Sequence, residues 1–245
     1  MRTVSISEIM RVAPWSLRAL GHPFGVAERA TRLLAWTQAA LGQGVEILRL
    51  GEKKLMASNR RPPARRSGDS AQGRLIEAGG RNLFELGPPA VDLATADARL
   101  DRSGRVTITG AIGIILAPSL AELAARRGLN AMVEFRGADD EIHIPGFPRS
   151  GWVAAWPGPA GARFFAGEAD SASGEGAGMI SISIGAAAAL PDNEAMKRSV
   201  DYPGRVARAY REGLEIAAED LEQLYALEKI TWAPTSERSR KQAGY

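Results

Sequence analysis

The segment that most constrains the fold is residues 25–50, GVAERATRLLAWTQAALGQGVEILRL. Val26, Ala30, Leu33, Leu34, Thr37 and Leu41 recur at three-, four- and seven-residue spacings, which places them on one face of a helix. Arg29, Arg32 and Gln38 fall largely off that face. The turn Leu41-Gly42-Gln43-Gly44-Val45 follows. Its glycines suit a helix stop and a close backbone approach, because glycine has no side chain to obstruct positive φ or a neighbouring chain. Contact between this helix and helices near the C-terminus is the expected core seam.

Before it, Ser5-Ile6-Ser7-Glu8 has the form of a capping box, so a helix should start there. Pro14 cannot donate an N–H, which predicts a kink or a second short helix over residues 15–20 before Gly21-His22-Pro23 turns the chain. After Glu52-Lys53-Lys54, residues 59–72 replace apolar periodicity with Pro, Arg and small polar residues and read as an exposed loop. Its arginines could grip phosphate or simply be a solvated linker.

From residue 73 to 185 the period changes to two. Residues 105–109 alternate after the turn Asp101-Arg102-Ser103-Gly104. Residues 179–184 alternate isoleucine with serine and predict a half-buried strand. Shorter strand candidates are 75–76, 82–86, 90–93, 132–135, 141–144, 152–156 and 163–165, with one helix over 118–127 that turns Leu120, Leu123 and Ala124 inward. Helical spacing returns in 204–212, carrying Val206, Ala209 and Tyr210, and in 218–229, with Gly213 as the break. The expectation is an α+β protein, its N- and C-terminal helices packed on a mainly antiparallel strand-rich middle. The chain is expected to form a single domain over 1–245, with a helical segment 1–58, the loop 59–72, strands in 73–190 and helices in 191–245.

Composition narrows the chemistry. With 31 basic against 28 acidic residues the net charge is +3, too balanced for a large field, so no nucleic-acid partner is expected. The absence of cysteine removes disulfide and thiol chemistry, and two histidines all but exclude a zinc site. The start MRTVSISEIM has no basic, apolar leader, and the apolar runs at 111–117 and 186–190 are too short for a bilayer. A cytoplasmic protein with no membrane partner is the expectation.

His143 sits between Ile142 and Ile144, so on a strand its imidazole would face away from them, as a proton donor in a cleft or a half-exposed strand residue. His22, in Gly-His-Pro, reads as a loop histidine. Asp139-Asp140-Glu141 could bind a hard cation, but adjacent strand residues point to opposite faces, and a turn explains them equally; no metal site is expected. Residues 173–178 are glycine-rich but precede a strand and lack Lys-Ser or Lys-Thr, which reads as a loop rather than a phosphate cradle.

Several residues carry a resemblance. Val4-Ser5, the Glu8-Ile9 helix, a Gly turn, a long Ala/Leu-rich helix and Gly44-Val45 resemble the N-terminal layout of the malate/L-lactate dehydrogenase family, which binds nicotinamide cofactors in a fold of its own. Pro203-Gly204, the run Arg211-Glu212-Gly213-Leu214-Glu215-Ile216 and Leu221-Glu222-Gln223-Leu224 look like that family's closing segment. Together they span under half of the chain. The family reads Ser-His-Gly-Val where this chain reads Gly42-Gln43-Gly44-Val45, so the resemblance makes Gln43 the replacement of a proton-transfer histidine. Glutamine cannot titrate, but it can hold a carbonyl or carboxylate. The middle matches none of the family's cofactor segments, so NAD(P) enters by resemblance only. The whole outline, with the closing Trp232-Ala233-Pro234-Thr235-Ser236-Glu237-Arg238-Ser239-Arg240, is similar to an uncharacterised bacterial domain-of-unknown-function family, which implies no activity. The functional expectation is a dehydrogenase-like scaffold, shortened and without the catalytic histidine, that binds a small molecule or serves as an accessory subunit. The alternative is an oxidoreductase or other small-molecule enzyme that uses a different acid, with His143 first and Asp140 or Glu141 behind it. A homo-oligomer or a subunit of a larger enzyme is expected.

Overall fold

The computed structural model describes residues 1–61, 65–70, 73–138, 142–159, 161–168, 178–189 and 199–231, with 65–70 as backbone alone. The chain runs β1 (Arg2–Val4), α1 (Ile6–Ala19), α2 (Phe24–Leu41), α3 (Glu46–Leu50), α4 (Glu52–Asn59), β2 (Arg65–Ser70), β3 (Gly73–Glu77), α5 (Leu83–Asp101) and β4 (Ser103–Thr109). A 3-10 turn (Ile114–Leu116) leads into α6 (Ala117–Ala125), β5 (Ala131–Arg136), β6 (Ser150–Trp156), β7 (Arg163–Glu168), β8 (Met179–Gly185) and β9 (Ser199–Val200). The chain then closes with α7 (Tyr202–Glu212), β10 (Leu214–Ile216) and α8 (Ala218–Ile230). It is an α+β protein, as expected.

The main sheet has the order β2-β3-β4-β8-β5-β6-β7-β9, and β3–β4 is its one parallel pair among the described strands. Period-two alternation sends Val106, Ile108, Val133, Phe135 and the isoleucines of β8 to the face shared with the helices. Met132, Trp152, Ala154 and Phe165 alternate to the opposite face and form a smaller apolar cluster with Ala188. That second cluster explains a difference from expectation: β8 is not half buried, because Ser181 and Ser183 are covered as well as the isoleucines.

α5 and α6 lie on the sheet, and α2 packs on them and on α1 and α7. The second half of α2, placed between layers, has no solvent side, and every residue from Leu33 to Ala40 is buried. Gln38, expected off the packed face, is therefore inside. The seam with the C-terminal helices is α2 against α7, whereas α8 packs on α1 and α3. A two-strand ribbon, β1 antiparallel to β10, ties the N-terminus to the segment between α7 and α8.

Other expectations are corrected. α1 is one helix that continues through Pro14, capped by Ser5, whose hydroxyl accepts from the Glu8 N–H at 3.0 Å. The Glu8 carboxylate turns to Arg11 and the Tyr225 hydroxyl. Residues 82–86 and 90–93 are not strands but part of α5, which includes Pro88 and Pro89. Its buried Phe84, Gly87, Val91, Ala94 and Ala98 recur at helical spacing, and burying that stripe outweighs the ladder bonds the prolines cannot make. Residues 142–144 form no strand. On α7, Tyr210 points outward, 71% exposed.

His22 is not a solvated loop residue. It is 3% exposed, its ring stands edge-on to Phe84 at 5.9 Å, and neither imidazole nitrogen has a hydrogen-bond partner among the described residues. Burial, reinforced by the Arg81 charge, pushes its pKa down to about 4. An unfolded chain takes up this proton below the ordinary value of 6.5, and the folded chain does not until about 4. Stability is thus fully present above about pH 6.5 and falls by up to about 3 kcal/mol as the pH drops to 4. Urea unfolding at pH 7 and pH 4.5 should show a smaller acid loss in His22→Leu than in the parent.

Candidate functional site

The turn after α2 is fixed from below by one buried side chain. Gly42 closes the helix at φ 73° and donates its N–H to the Gln38 carbonyl at 2.9 Å. The Gln38 amide then donates to the carbonyls of Gly42 (3.1 Å) and Glu215 (3.0 Å) and accepts from the Val45 N–H (3.0 Å). One glutamine thereby joins the end of α2, the start of α3 and β10. Gly44 has φ 154°, and a Cβ there would stand 3.0 Å from the Gln38 nitrogen, so the turn presses against its own helix. Gly44→Ala is expected to cost about 2 kcal/mol, read as a drop in the urea midpoint.

Gln43 points from this turn to a second loop. Its Nε2 donates to the Pro145 carbonyl at 2.5 Å. Residues 142–149 are anchored by buried Ile142 and Ile144, by Phe147 stacked on Phe135 at 5.5 Å, and by the Arg149 carbonyl, which accepts from Gly137 at 2.7 Å. Ile142 packs on Gly51, where a Cβ would come within 2.6 Å of its Cδ1. His143 keeps the orientation expected of it, exposed between the two isoleucines, although on a loop. The structure therefore brings the Gln43 turn to the loop that carries His143, two residues from the carbonyl that Gln43 holds.

Sequence reasoning missed Glu46, which opens α3. Its carboxylate accepts from the Gly44 N–H at 3.4 Å, and burial, with the Asp220 charge adding, pushes its pKa up. Nearby, Arg49 donates to Asp220 of α8 at 2.5 Å. The signal available in sequence was a glutamate placed directly after Gly-x-Gly-Val, at the first turn of a segment with Ile47 and Leu48 inward.

The cavity beside His143, lined by Ile114, Ile144, Phe147 and Arg149 among others, has a volume of about 20 Å³. That holds about one water. No group of three or more acidic or histidine side chains that could hold a metal occurs among the described residues. Asp139, Asp140 and Glu141, the glycine-rich run 173–177 and the closing residues 232–245 lie outside them. No described helix is long and apolar enough to cross a membrane.

No protein-family model and no curated protein sequence matches the chain. Solved structures do. Malate dehydrogenase from Pyrococcus horikoshii OT3 superposes with a TM-score of 0.72 at 12% identity, over 95% of this chain and 96% of that one. A dehydrogenase from Sinorhizobium meliloti gives 0.71 at 13% identity over 93% and 99%. Sulfolactate dehydrogenase from Methanocaldococcus jannaschii gives 0.68 at 11% identity over 94% and 97%. These superpositions span the strand-rich middle as well as both ends, and the chain has a malate/lactate/sulfolactate dehydrogenase-like fold.

Proposed function

We propose that this chain uses a dehydrogenase-like scaffold to bind a small carbonyl or carboxylate compound at residues 42–45 without passing a proton to it, as a ligand-binding or accessory subunit. The observation that carries the reading is the Gln43–Pro145 hydrogen bond. A primary amide neither gains nor loses a proton near neutral pH, and this one is committed through one N–H to the opposite loop. Its second N–H and its Oε1 are the groups left to meet a ligand oxygen or hydroxyl. Gln38 fixes the turn so that the Gln43 amide is presented in one orientation. No step of this reading runs through a nicotinamide.

Glyoxylate, pyruvate and oxaloacetate are suitable probes for titration calorimetry. Saturable binding by at least one of them is expected, and Gln43→Ala should weaken it by about tenfold, the loss of a hydrogen bond to a charged group. No binding, or binding indifferent to the substitution, would overturn the proposal.

A second reading is favoured by Glu46, whose raised pKa suits a proton donor next to the same turn. In that case the chain is an oxidoreductase that uses a carboxylic acid where the resembled family uses histidine. NADPH- or NADH-dependent reduction of a 2-oxo acid, lost in Glu46→Gln, would select it.

A further inference from the structure

We infer that the groove between α1, α2, α6 and α7 is a second binding site, shaped for a small organic monoanion with an apolar body. It does not depend on the function proposed for the Gln43 turn. The cavity has a volume of about 340 Å³, at the lower end of the range for ligand pockets.

Its walls are apolar and its rim is charged. Met10 of α1, Leu33, Trp36 and Ala39 of α2, Leu123 of α6 and Val206 of α7 supply the lining. The concavity arises because α2 and α6 place Ala35, Ala39 and Ser119 where larger side chains would fill it. Trp36 is held by edge contacts with Tyr202 at 5.6 Å and a tilted contact with Phe164 at 5.8 Å, so this wall is rigid before any ligand arrives. Tyr210, mostly exposed, stands at the mouth.

The charge at the rim is unbalanced. Glu122 is paired with Arg126 one helical turn away. Arg32, exposed on α2, has no acidic partner among the described residues. Two guanidiniums against one carboxylate leave one positive charge over an apolar floor, which favours one negative charge on an apolar body and disfavours a cation. Burial pushes the Glu122 carboxyl up, which further reduces the negative charge at the rim as pH falls.

Octanoate, with ten non-hydrogen atoms, is the probe, and 1-octanol is its uncharged counterpart; the fluorescence of Trp36 in the wall and calorimetry report binding. Octanoate should bind saturably and at least about tenfold more tightly than 1-octanol, the worth of one charge-assisted contact. Arg32→Gln, a surface change that should leave the melting temperature in place, is expected to weaken octanoate about fivefold, and Glu122→Gln to strengthen it about threefold. Equal affinity for acid and alcohol, indifference to Arg32→Gln, or weaker binding in Glu122→Gln would each overturn the inference, as would no octanoate binding at all.

Discussion

Gln38→Leu is expected to lower the unfolding free energy by about 3 kcal/mol while leaving the helix content of the folded chain intact. The volume of leucine suits the site, so packing is not what is lost. The loss is of three hydrogen bonds: the Gly42 and Glu215 carbonyls lie at exposed positions where water can replace the amide, whereas the Val45 N–H is buried and is left orphaned. A buried N–H left unpaired costs about 1–3 kcal/mol and each of the other two lost hydrogen bonds about 1 kcal/mol, which together outweigh the side-chain hydrophobicity gained. Urea unfolding measures the total, and amide hydrogen exchange locates it, with Val45 predicted to exchange faster than the interior of α2. Because the same side chain orients the turn, Gln38→Leu should also weaken any ligand held by Gln43. A variant with unchanged stability would show that the turn is supported elsewhere.

Gly104→Ala is expected to cost about 4 kcal/mol, the most severe effect of a single added methyl among the described glycines. Gly104 lies on β4, and a Cβ there would stand 1.9 Å from the Ala94 carbonyl oxygen and 3.0 Å from the Ala98 nitrogen of α5. Overpacking a core typically costs 1–3 kcal/mol, but there flexible side chains yield; here the obstacle is the backbone of a helix buried on the sheet. β4 pairs with both β3 and β8, so the strand cannot retreat without disturbing two ladders. The close approach is set by the sharp return at Arg102, the one described residue other than glycine with positive φ, at 62°. Thermal unfolding of Gly104→Ala against Gly151→Ala, where the nearest atoms are the Gly167 oxygen at 2.8 Å and the tip of the Phe135 ring, would rank the two, with Gly104→Ala the worse.

What could be read from sequence follows the range of the forces involved. The span of α2 and its glycine stop were legible because helical spacing and a left-handed cap are local, and the structure ends that helix at Leu41 with Gly42 as cap. β4 and β8 were legible from alternation, and β5 and β6 as short apolar runs between turn residues. α5 was not, because Pro88 and Pro89 are strong local breakers and only tertiary burial of the Phe84–Ala98 stripe overrides them. β1 and β10, three residues each, carry too short a pattern to show a period, and they pair across the whole chain. The candidate site divides the same way. Gln43 and His143 could each be singled out, but their loops meet through a hydrogen bond spanning 102 positions, which no spacing rule encodes. Glu46 passed unnoticed because its distinguishing property is burial beside Asp220, a product of how α3 packs on α8.

In the proposed function the Gln43 turn holds a ligand without proton transfer on a dehydrogenase-like scaffold. The most direct measurement is the rate of NADH and NADPH oxidation by the purified chain with glyoxylate, pyruvate and oxaloacetate, run on the parent and on Gln43→Ala. The parent is expected to show no turnover above background under conditions where a 2-oxo acid binds. Steady turnover by the parent that survives Gln43→Ala would contradict it and place the proton donor elsewhere, at Glu46 or His143.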